Sequence, residues 1–335
     1  MHPTVHVETL DTHTAGEPTR IVTNGVGVEA LGAGSVADKR DRFATDHDEL
    51  RRFLLWEPRG HDDMFGAIPV PPGDDRADLG LVFMDGGGYL DMCGHATIGA
   101  ITALIEDGRL NPADSIVVET PAGLVTTRPS VVDGRVEGVA VESVDSYVCD
   151  AVTVSVPVGG ERRSIPVDLV VSGNLFALVD VGALDRSVDR DTVDELVALA
   201  GAIRTAIDDA HRIVDPLTGE ERSVATVELY ESSEPADRNV VVFGEGQVDR
   251  SPCGSGTCAK MTLLFERGEL GLEEPYPAES VIGTRFTGRL LDVDERDGTS
   301  VTTPEVTGSA HLTGRHTFVR DERDELEPFS LTARQ

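Results

Sequence analysis

An internal repeat sets the main limit on how this chain can fold. Residues 93–110 (CGHATIGAITALIEDGRL) align without a gap with residues 253–270 (CGSGTCAKMTLLFERGEL), at an offset of 160 residues, and eight of the eighteen positions are identical. Phe83 and Phe243 match at the same offset, as do Gly86 and Gly246. An offset of about half of a 335-residue chain indicates two copies of one structural unit.

Each copy predicts a strand, a glycine-rich loop and a helix. In the first copy an apolar strand over 79–84 ends at the loop DGGG, and a helix over 94–107 is apolar nearly all round, which predicts a buried helix. The second copy repeats this order, with glycines 108 and 268 as the two helix ends. One further helix, with apolar residues on one face, is predicted over 191–210.

Short β-branched runs separated by hairpin signals fill much of the remaining chain. The dipeptides Asp-Gly at 133–134, Gly-Gly at 159–160 and Asp-Gly at 297–298 are typical of tight turns between antiparallel strands. The fold class is therefore predicted as α+β, with two similar units of mixed sheet, each around a buried helix. We expect the first unit to span 1–147, with the segment 308–335 packed against it, and the second to span 148–307.

The charge balance excludes several classes of partner. Sixty acidic residues against 29 basic ones give a net charge of −31, which opposes binding to nucleic acid and to anionic membranes. Arginine supplies nearly all the positive charge, because the only lysines are Lys39 and Lys260. These features predict a halophilic protein from a high-salt cytoplasm, where the Debye length is about 3 Å near 1 M salt. Without an apolar leader or an apolar run of membrane length, a cytoplasmic location is expected.

The two cysteines that begin the repeats are candidates for acid–base chemistry. A cysteine just before a helix lies at the positive end of the helix dipole, which lowers the pKa of a thiol from about 8.5. If two such helices point into one cleft, a thiolate on one face of a carbon and a thiol on the other invert its stereochemistry. This two-base scheme requires no metal, pyridoxal phosphate or nicotinamide cofactor, and we find no dinucleotide or phosphate-loop motif.

Three stretches of the sequence resemble the signatures of the proline racemase family. They are DRSPCGSGT at 249–257, MCGH at 92–95 and DTHTAGEPTR at 11–20, and the resemblance extends to SGNLFA at 172–177 and GRHTF at 314–318. The family comprises proline racemases, hydroxyproline 2-epimerases and trans-3-hydroxyproline dehydratases. It implies two pseudo-symmetric units like those of diaminopimelate epimerase, each a β-barrel-like sheet around a central helix. An active site in the cleft between them, a small amino-acid substrate and a homodimer are also implied.

The resemblance also implies roles for single residues. Cys93 and Cys253 would be the acid–base pair. The backbone N–H groups of Gly94 with His95, and of Gly254 with Ser255, would hold the substrate carboxylate, although Ser255 stands where the family usually has threonine. Asp249 would bind the ring ammonium of the substrate.

Two positions favour a racemase of proline over the other activities of the family. The dehydratases usually have threonine where this chain has Cys253, so the second cysteine favours a racemase or epimerase. Hydroxyproline epimerases often carry histidine in the strand matching 226–229, where this chain has Thr226. Proline racemase is therefore the predicted activity, with 4-hydroxyproline 2-epimerase and then trans-3-hydroxy-L-proline dehydratase as alternatives.

Other interpretations of these residues remain open. Cys93, His95, Cys253 and Cys258 form a zinc site on paper, but the spacing of Cys253 and Cys258 suits tetrahedral zinc poorly, and no metal is expected. Cys93 and Cys253 also fit a redox dithiol, and the whole chain fits a protein that binds proline-like ligands without turnover. Cys149 and Cys258 are expected to be structural.

Overall fold

The structure is a computed structural model that describes residues 5–25, 31–244, 246–321 and 323–331. The α-helices within these ranges are α1 (Val36–Asp46), α2 (Asp48–Leu55), α3 (Gly94–Glu106), α4 (Val193–Ala210) and α5 (Gly254–Glu266). The strands are β1 (Val5–Thr14), β2 (Glu17–Asn24), β3 (Phe65–Val70), β4 (Leu79–Met84), β5 (Tyr89–Leu90), β6 (Ile116–Thr120), β7 (Gly123–Val132), β8 (Arg135–Glu142), β9 (Ser146–Val158), β10 (Glu161–Ser172), β11 (Asn174–Asp180), β12 (Ile213–Val214), β13 (Glu221–Arg222), β14 (Thr226–Glu231), β15 (Asp237–Phe243), β16 (Gln247–Asp249), β17 (Tyr276–Ser280), β18 (Arg285–Arg296), β19 (Thr299–Gly308) and β20 (Ala310–Arg320).

The chain divides into two compact units. Unit 1 consists of Met1–Val141 and Gly308–Gln335, and unit 2 consists of Glu142–Thr307. The division expected between residues 147 and 148 lies within β9, which crosses that position without a break.

The two units pair their strands in the same order. In unit 1, β1 is antiparallel to β2, β2 parallel to β3, β3 antiparallel to β4, and β4 antiparallel to β5 and parallel to β6. In unit 2, β10 is antiparallel to β11, β11 parallel to β14, β14 antiparallel to β15, and β15 antiparallel to β16 and parallel to β17. Mixed sheets with few helices confirm the predicted α+β class. The barrel-like closure of each sheet stays a prediction.

The predicted hairpin turns have the backbone that their sequences require. Asp133 and Gly134 both have positive φ, at 50° and 78°, as do Asp297 and Gly298, at 51° and 81°. The Gly-Gly pair at 159–160 joins β9 to β10 in the same left-handed conformation. Two consecutive positive φ values give the turn twist that suits a two-residue hairpin.

The repeated helices α3 and α5 are buried and end in the same way. Every residue of α3 from Gly94 to Ile105 is buried, as is every residue of α5 from Gly254 to Leu263. Gly108 and Gly268 follow the helices with φ of 73° and 70°, and the N–H of each bonds back to a carbonyl of the last turn. Glycine tolerates this left-handed conformation without steric cost, which explains both helix ends.

The helix predicted over 191–210 begins slightly later than expected. Residues Arg190–Thr192 form a short 3-10 turn, and α4 follows from Val193. Asp189 accepts hydrogen bonds from the N–H groups of both Asp191 and Thr192, which tightens this first turn.

The sheet of unit 2 is covered by a helix on each face. Side chains at alternate positions of β11, β14 and β15 pack toward α5, and among them are Phe176, Leu178, Tyr230 and Val241. The residues between them pack into a second apolar cluster that includes the buried face of α4. This period of two means that any polar residue in register with the first set must be buried beneath α5.

Both lysines of the chain are buried. Lys39, in α1, is 2% exposed and donates from Nζ to the carbonyls of Gly34 at 2.7 Å and Pro71 at 2.8 Å. Lys260, in α5, is also 2% exposed, and its Nζ lies 3.3 Å from the ring centre of Tyr230. The surface therefore carries its positive side-chain charge on arginine rather than lysine.

Candidate active site

Each Cys-Gly turn connects a short strand to a buried helix. Cys93 comes directly before α3, and Cys253 directly before α5. The carbonyl of each cysteine accepts the first helical hydrogen bond, from Thr97 at 3.0 Å and from Thr257 at 2.8 Å. The N–H groups of the residues between each cysteine and its threonine have no acceptor within the helix, so each turn places a sulfur beside donors suited to an anion.

Cys93 lies against a neutral histidine. The thiol is 6% exposed, and its Sγ is 3.6 Å from Nδ1 and 3.7 Å from Nε2 of His95. Burial lowers the pKa of His95 to about 3, so its ring carries no charge near neutral pH. The ring also packs edge-on against Phe65 at 4.5 Å. The neighbouring ring therefore offers a thiolate at Cys93 no positive charge near neutral pH.

Cys253 is held in an unusual backbone conformation. Its φ of 59° lies in the left-handed region, which costs a non-glycine residue roughly 1–3 kcal/mol. Its N–H donates to Ser251 Oγ at 3.1 Å, and its sulfur accepts from the N–H of Gly256 at 3.3 Å. The sulfur therefore lies where the first N–H groups of α5 would bind an anion.

Asp249 is a buried carboxyl close to the second thiol. The N–H of Ser251 donates to its Oδ1 at 2.7 Å, and Asp249 is 3% exposed. Burial raises the pKa of Asp249 to about 6, although hydrogen bonds from Ser251 and Cys253 oppose this rise. The carboxyl is thus ionised near neutral pH and has the charge needed to bind an ammonium group.

The four remaining predicted site residues begin the two helices. Gly94 and His95 are the first residues of α3, and Gly254 and Ser255 are the first residues of α5. All four are buried, and the hydroxyl of Thr14 fixes the α3 turn by donating to the carbonyl of His95 at 2.8 Å. The side chain of Ser255 is not needed for a contact made through its backbone N–H.

The other two cysteines have different surroundings. Cys258 is fully buried, and burial raises its pKa to about 12. Cys149 is half-buried, its Sγ lies 3.7 Å from the carbonyl oxygen of Val214, and burial together with Asp215 raises its pKa to about 11. Both thiols stay protonated near neutral pH, which agrees with their predicted structural role.

Sequence reasoning missed a group of buried polar residues under α5. Glu228 of β14, Asn239 of β15 and Lys260 of α5 are 1%, 4% and 2% exposed. Glu228 lies two residues from Tyr230, and Asn239 two residues from Val241, so both share the sheet face that packs on α5. The signal was a charged residue inside an otherwise apolar strand, VELY, at a position of the buried register.

The acidic and histidine residues near the N-terminus form structural contacts. Asp11 makes an ion pair with Arg20 at 2.8 Å, and His13 Nδ1 accepts from the N–H of Gly16 at 3.2 Å. Across the described residues, no group of three or more His, Cys, Asp and Glu side chains is arranged to hold a metal ion. No helix in the described part of the chain has the length and apolar character needed to cross a membrane.

Comparison with known sequences identifies relatives over almost the whole chain. The sequence model of the proline racemase family matches residues 9–330. A proline racemase from Clostridioides difficile is 38% identical, covering 96% of both chains. A 4-hydroxyproline 2-epimerase from Streptosporangium roseum is 37% identical, covering 94% of this chain and 95% of the relative. A trans-3-hydroxy-L-proline dehydratase from Bacillus thuringiensis is 35% identical, covering 95% and 96%.

Comparison with solved structures gives the same result. A hydroxyproline epimerase from Agrobacterium vitis, with bound trans-4-hydroxy-L-proline, superposes with a TM-score of 0.88 at 29% identity, covering 98% of this chain and 95% of that one. A family model that spans nearly all residues, and relatives well above 30% identity, support one conclusion: the chain belongs to the proline racemase family and is an isomerase.

Proposed function

We propose that this protein inverts Cα of a proline-type amino acid by two-thiol acid–base chemistry, with proline as its substrate. One observation carries the proposal: each unit places one cysteine, Cys93 or Cys253, at the start of a buried helix in the same repeated topology. The relatives named proline racemase and 4-hydroxyproline 2-epimerase support a substrate of this class.

The proposed reaction exchanges one proton for another at a single carbon. With D-proline or L-proline bound, the thiolate on one face removes the α-proton, and the thiol on the opposite face donates its own proton to the carbanion. The bond from carbon to the first hydrogen breaks as the bond to the second forms, so that the two sulfurs swap protonation states. The chemistry thus requires two thiols that reach opposite faces of one carbon.

The substrate groups have matching partners in this proposal. Backbone N–H groups of Gly94 and His95, with those of Gly254 and Ser255, bind the carboxylate and stabilise the charge that spreads onto it as the α-proton leaves. Asp249 binds the ring ammonium, and its buried carboxyl beside Cys253, with a pKa raised by burial to about 6, supports this role because it carries a negative charge near neutral pH. No metal or organic cofactor takes part in the scheme.

A second candidate is 4-hydroxyproline 2-epimerase. Thr226 starts β14 and lies on the same sheet face as Glu228, and its buried Oγ1 has no hydrogen-bond partner among the described residues. A hydroxyl in this state suits a polar substituent on a substrate ring. The dehydratase is the weaker alternative, because this chain has a cysteine at 253.

Proton NMR in D2O distinguishes these activities. L-proline, trans-4-hydroxy-L-proline and trans-3-hydroxy-L-proline are incubated separately with the reduced protein in concentrated KCl. We expect the α-proton signal of proline to disappear without a new product. Faster exchange of the 4-hydroxy compound identifies the epimerase, and a ketimine-derived product from the 3-hydroxy compound identifies the dehydratase. No exchange in any tube, with thiols shown to be reduced, contradicts the proposal and favours a redox or ligand-binding role.

We also propose that the protein is adapted to high salt. A net charge of −31 and the burial of both lysines support this, because a strongly acidic surface needs screening to remain compact. The homodimer stays a prediction.

A further inference from the structure

The strongest unexplained feature lies directly beneath the Cys253 turn. Asn239 donates from Nδ2 to Glu228 Oε1 at 2.9 Å and to the carbonyl of Pro252 at 2.8 Å. Both hydrogens of the buried amide are therefore used, one on a carboxyl and one on the peptide that precedes Cys253. Burying a carboxyl and an amide costs free energy, because both groups lose their hydrogen bonds to water. Two apolar side chains in the same positions would avoid this cost.

The second oxygen of Glu228 lies at the start of α5. Oε2 is buried and has no hydrogen-bond partner among the described residues. A Cβ built on Gly256 would lie 2.5 Å from this oxygen and 3.2 Å from Cys253 Cβ, so these two atoms are at most 5.7 Å apart. The carboxyl thus lies next to the residue whose N–H bonds to the Cys253 sulfur.

Some of the charged and titratable groups around Glu228 raise the pKa of its carboxyl, and others lower it. Burial raises the pKa of Glu228 to about 7, and Asp237 and Asp249 add to the rise, while the Asn239 bond and Lys260 oppose it. Cys258 of α5 and Tyr276 of β17 also interact with this carboxyl. Glu228 is therefore largely protonated below neutral pH and negatively charged above it.

We propose that Glu228 and Asn239 are positioning residues for the thiol of Cys253. Asn239 anchors the Pro252 carbonyl and so holds Cys253 in its left-handed backbone, and Glu228 orients the amide of Asn239. When Glu228 ionises, its charge beside the start of α5 opposes the formation of a thiolate at Cys253. This role rests on the proposed function of Cys253, but it concerns a thiol whose reactivity is measurable without substrate.

The test is site-resolved alkylation of the full-length protein with iodoacetamide between pH 5.5 and 10, in concentrated KCl. Mass spectrometry reports the rate at each cysteine, and Cys93, at the start of the other repeated helix, is the internal reference. The conservative variant Glu228→Gln keeps an acceptor for Asn239 and removes the charge. The variant Glu228→Ala removes both, and Asn239→Ala removes the anchor on Pro252.

We expect Glu228→Gln to lower the pH midpoint of Cys253 alkylation by at least half a pH unit and to leave that of Cys93 unchanged. It should keep α-proton exchange within threefold of the wild type near pH 6.5. Glu228→Ala and Asn239→Ala should each reduce kcat at least tenfold, with a smaller change in KM. Glu266→Gln is the matched control. Glu266 is the last residue of α5, roughly 18 Å along the helix axis from its first residue, so this substitution should change the alkylation midpoint of neither thiol.

Two results would overturn the proposal. One is an unchanged Cys253 midpoint in Glu228→Gln; the other is an equal shift at Cys93 and Cys253, which would indicate a general loosening of the fold. Because Glu228→Gln is nearly isosteric, it decides the question even if Asn239→Ala does not fold. If the wild type exchanges no α-proton and Glu228→Gln still shifts Cys253 alone, the proposed function fails and the positioning role stands.

Discussion

Glu228 and Gly256 are in such close contact that no side chain fits between them. A Cβ at position 256 would lie 2.5 Å from Glu228 Oε2, which is nearer than Cβ atoms in folded proteins approach a non-bonded atom. Glu228 is 1% exposed and its other oxygen is bonded by Asn239, so the carboxyl has little freedom to move away. A glycine is therefore required in the first turn of α5 for a reason of space.

Alanine substitutions at two helical glycines should have opposite effects. Gly256→Ala forces the Glu228 carboxyl out of place and should lower the free energy of unfolding by about 1–3 kcal/mol. Gly201→Ala, in α4, adds a Cβ that meets nothing within 4 Å and should raise the same quantity by about 0.4–1 kcal/mol. Urea denaturation in concentrated KCl measures both. Equal effects of the two substitutions would show that space at 256 is not limiting.

Replacing either proposed catalytic thiol should stop racemisation while preserving the fold. Cys93→Ser and Cys253→Ser each remove one acid–base group. We expect the rate at which one enantiomer of proline is converted into the other to fall by about a hundredfold or more. Polarimetry or chiral chromatography with D-proline and L-proline measures the loss.

A third cysteine supplies the control for the thiol substitutions. Cys149 is half-buried, and its pKa is raised to about 11, so Cys149→Ser should retain activity close to that of the wild type. Near-normal racemisation by Cys93→Ser or Cys253→Ser is the outcome that contradicts a two-thiol mechanism.

Asp249 should give both stability and substrate binding a pH dependence. Burial raises its pKa from 3.8 to about 6, so the folded chain binds this proton more tightly than the unfolded chain does. The Asp249 contribution to stability is therefore greatest below pH 4 and is lost as the pH rises toward 6. In contrast, binding of a ring ammonium requires the ionised form, so KM for proline should rise as the pH falls below about 6.

The variant Asp249→Asn tests both consequences. It should raise KM at least tenfold, change kcat less, and flatten the dependence of stability on pH between 4 and 6. Thermal melts and initial rates across this range supply the two measurements. If the variant keeps the wild-type KM, the ammonium is bound by another group.

Stability should depend strongly on salt. At 0.1 M ionic strength charges act over about 10 Å, and near 1 M over about 3 Å, so a net charge of −31 repels itself much less in concentrated KCl. We expect the unfolding midpoint to rise continuously between 0.2 and 3 M KCl. A midpoint that is the same across this series would refute adaptation to high salt.

The fold class and the repeated helices could be predicted because their signals are local in the sequence. These signals are the repeat itself and the glycines that end each helix. Gly108 and Gly268 end α3 and α5 in the left-handed conformation that glycine adopts without cost, and the apolar surface of each helix requires burial. The local pattern did not reveal the 3-10 turn before α4, which depends on the side chain of Asp189.

The polar residues below Cys253 were not predicted because their role depends on tertiary contacts. Glu228 and Asn239 lie on different strands, and only the register of β14 with β15 brings their side chains together under α5. Similarly, the φ of 59° at Cys253 could not be predicted from the repeat, since its counterpart Cys93 has an extended φ of −146°. Two identical Cys-Gly pairs therefore differ in their backbone.

The burial of Lys39 and Lys260 has a consequence for the chemistry of the protein as a whole. Reagents and metabolites that acylate or form imines with ε-amino groups, such as activated esters, aldehydes and reducing sugars, find no lysine amine on the described surface. Arginine remains protonated and is a poor nucleophile toward such compounds. The ε-amino groups of both lysines are thereby shielded from glycation and acetylation.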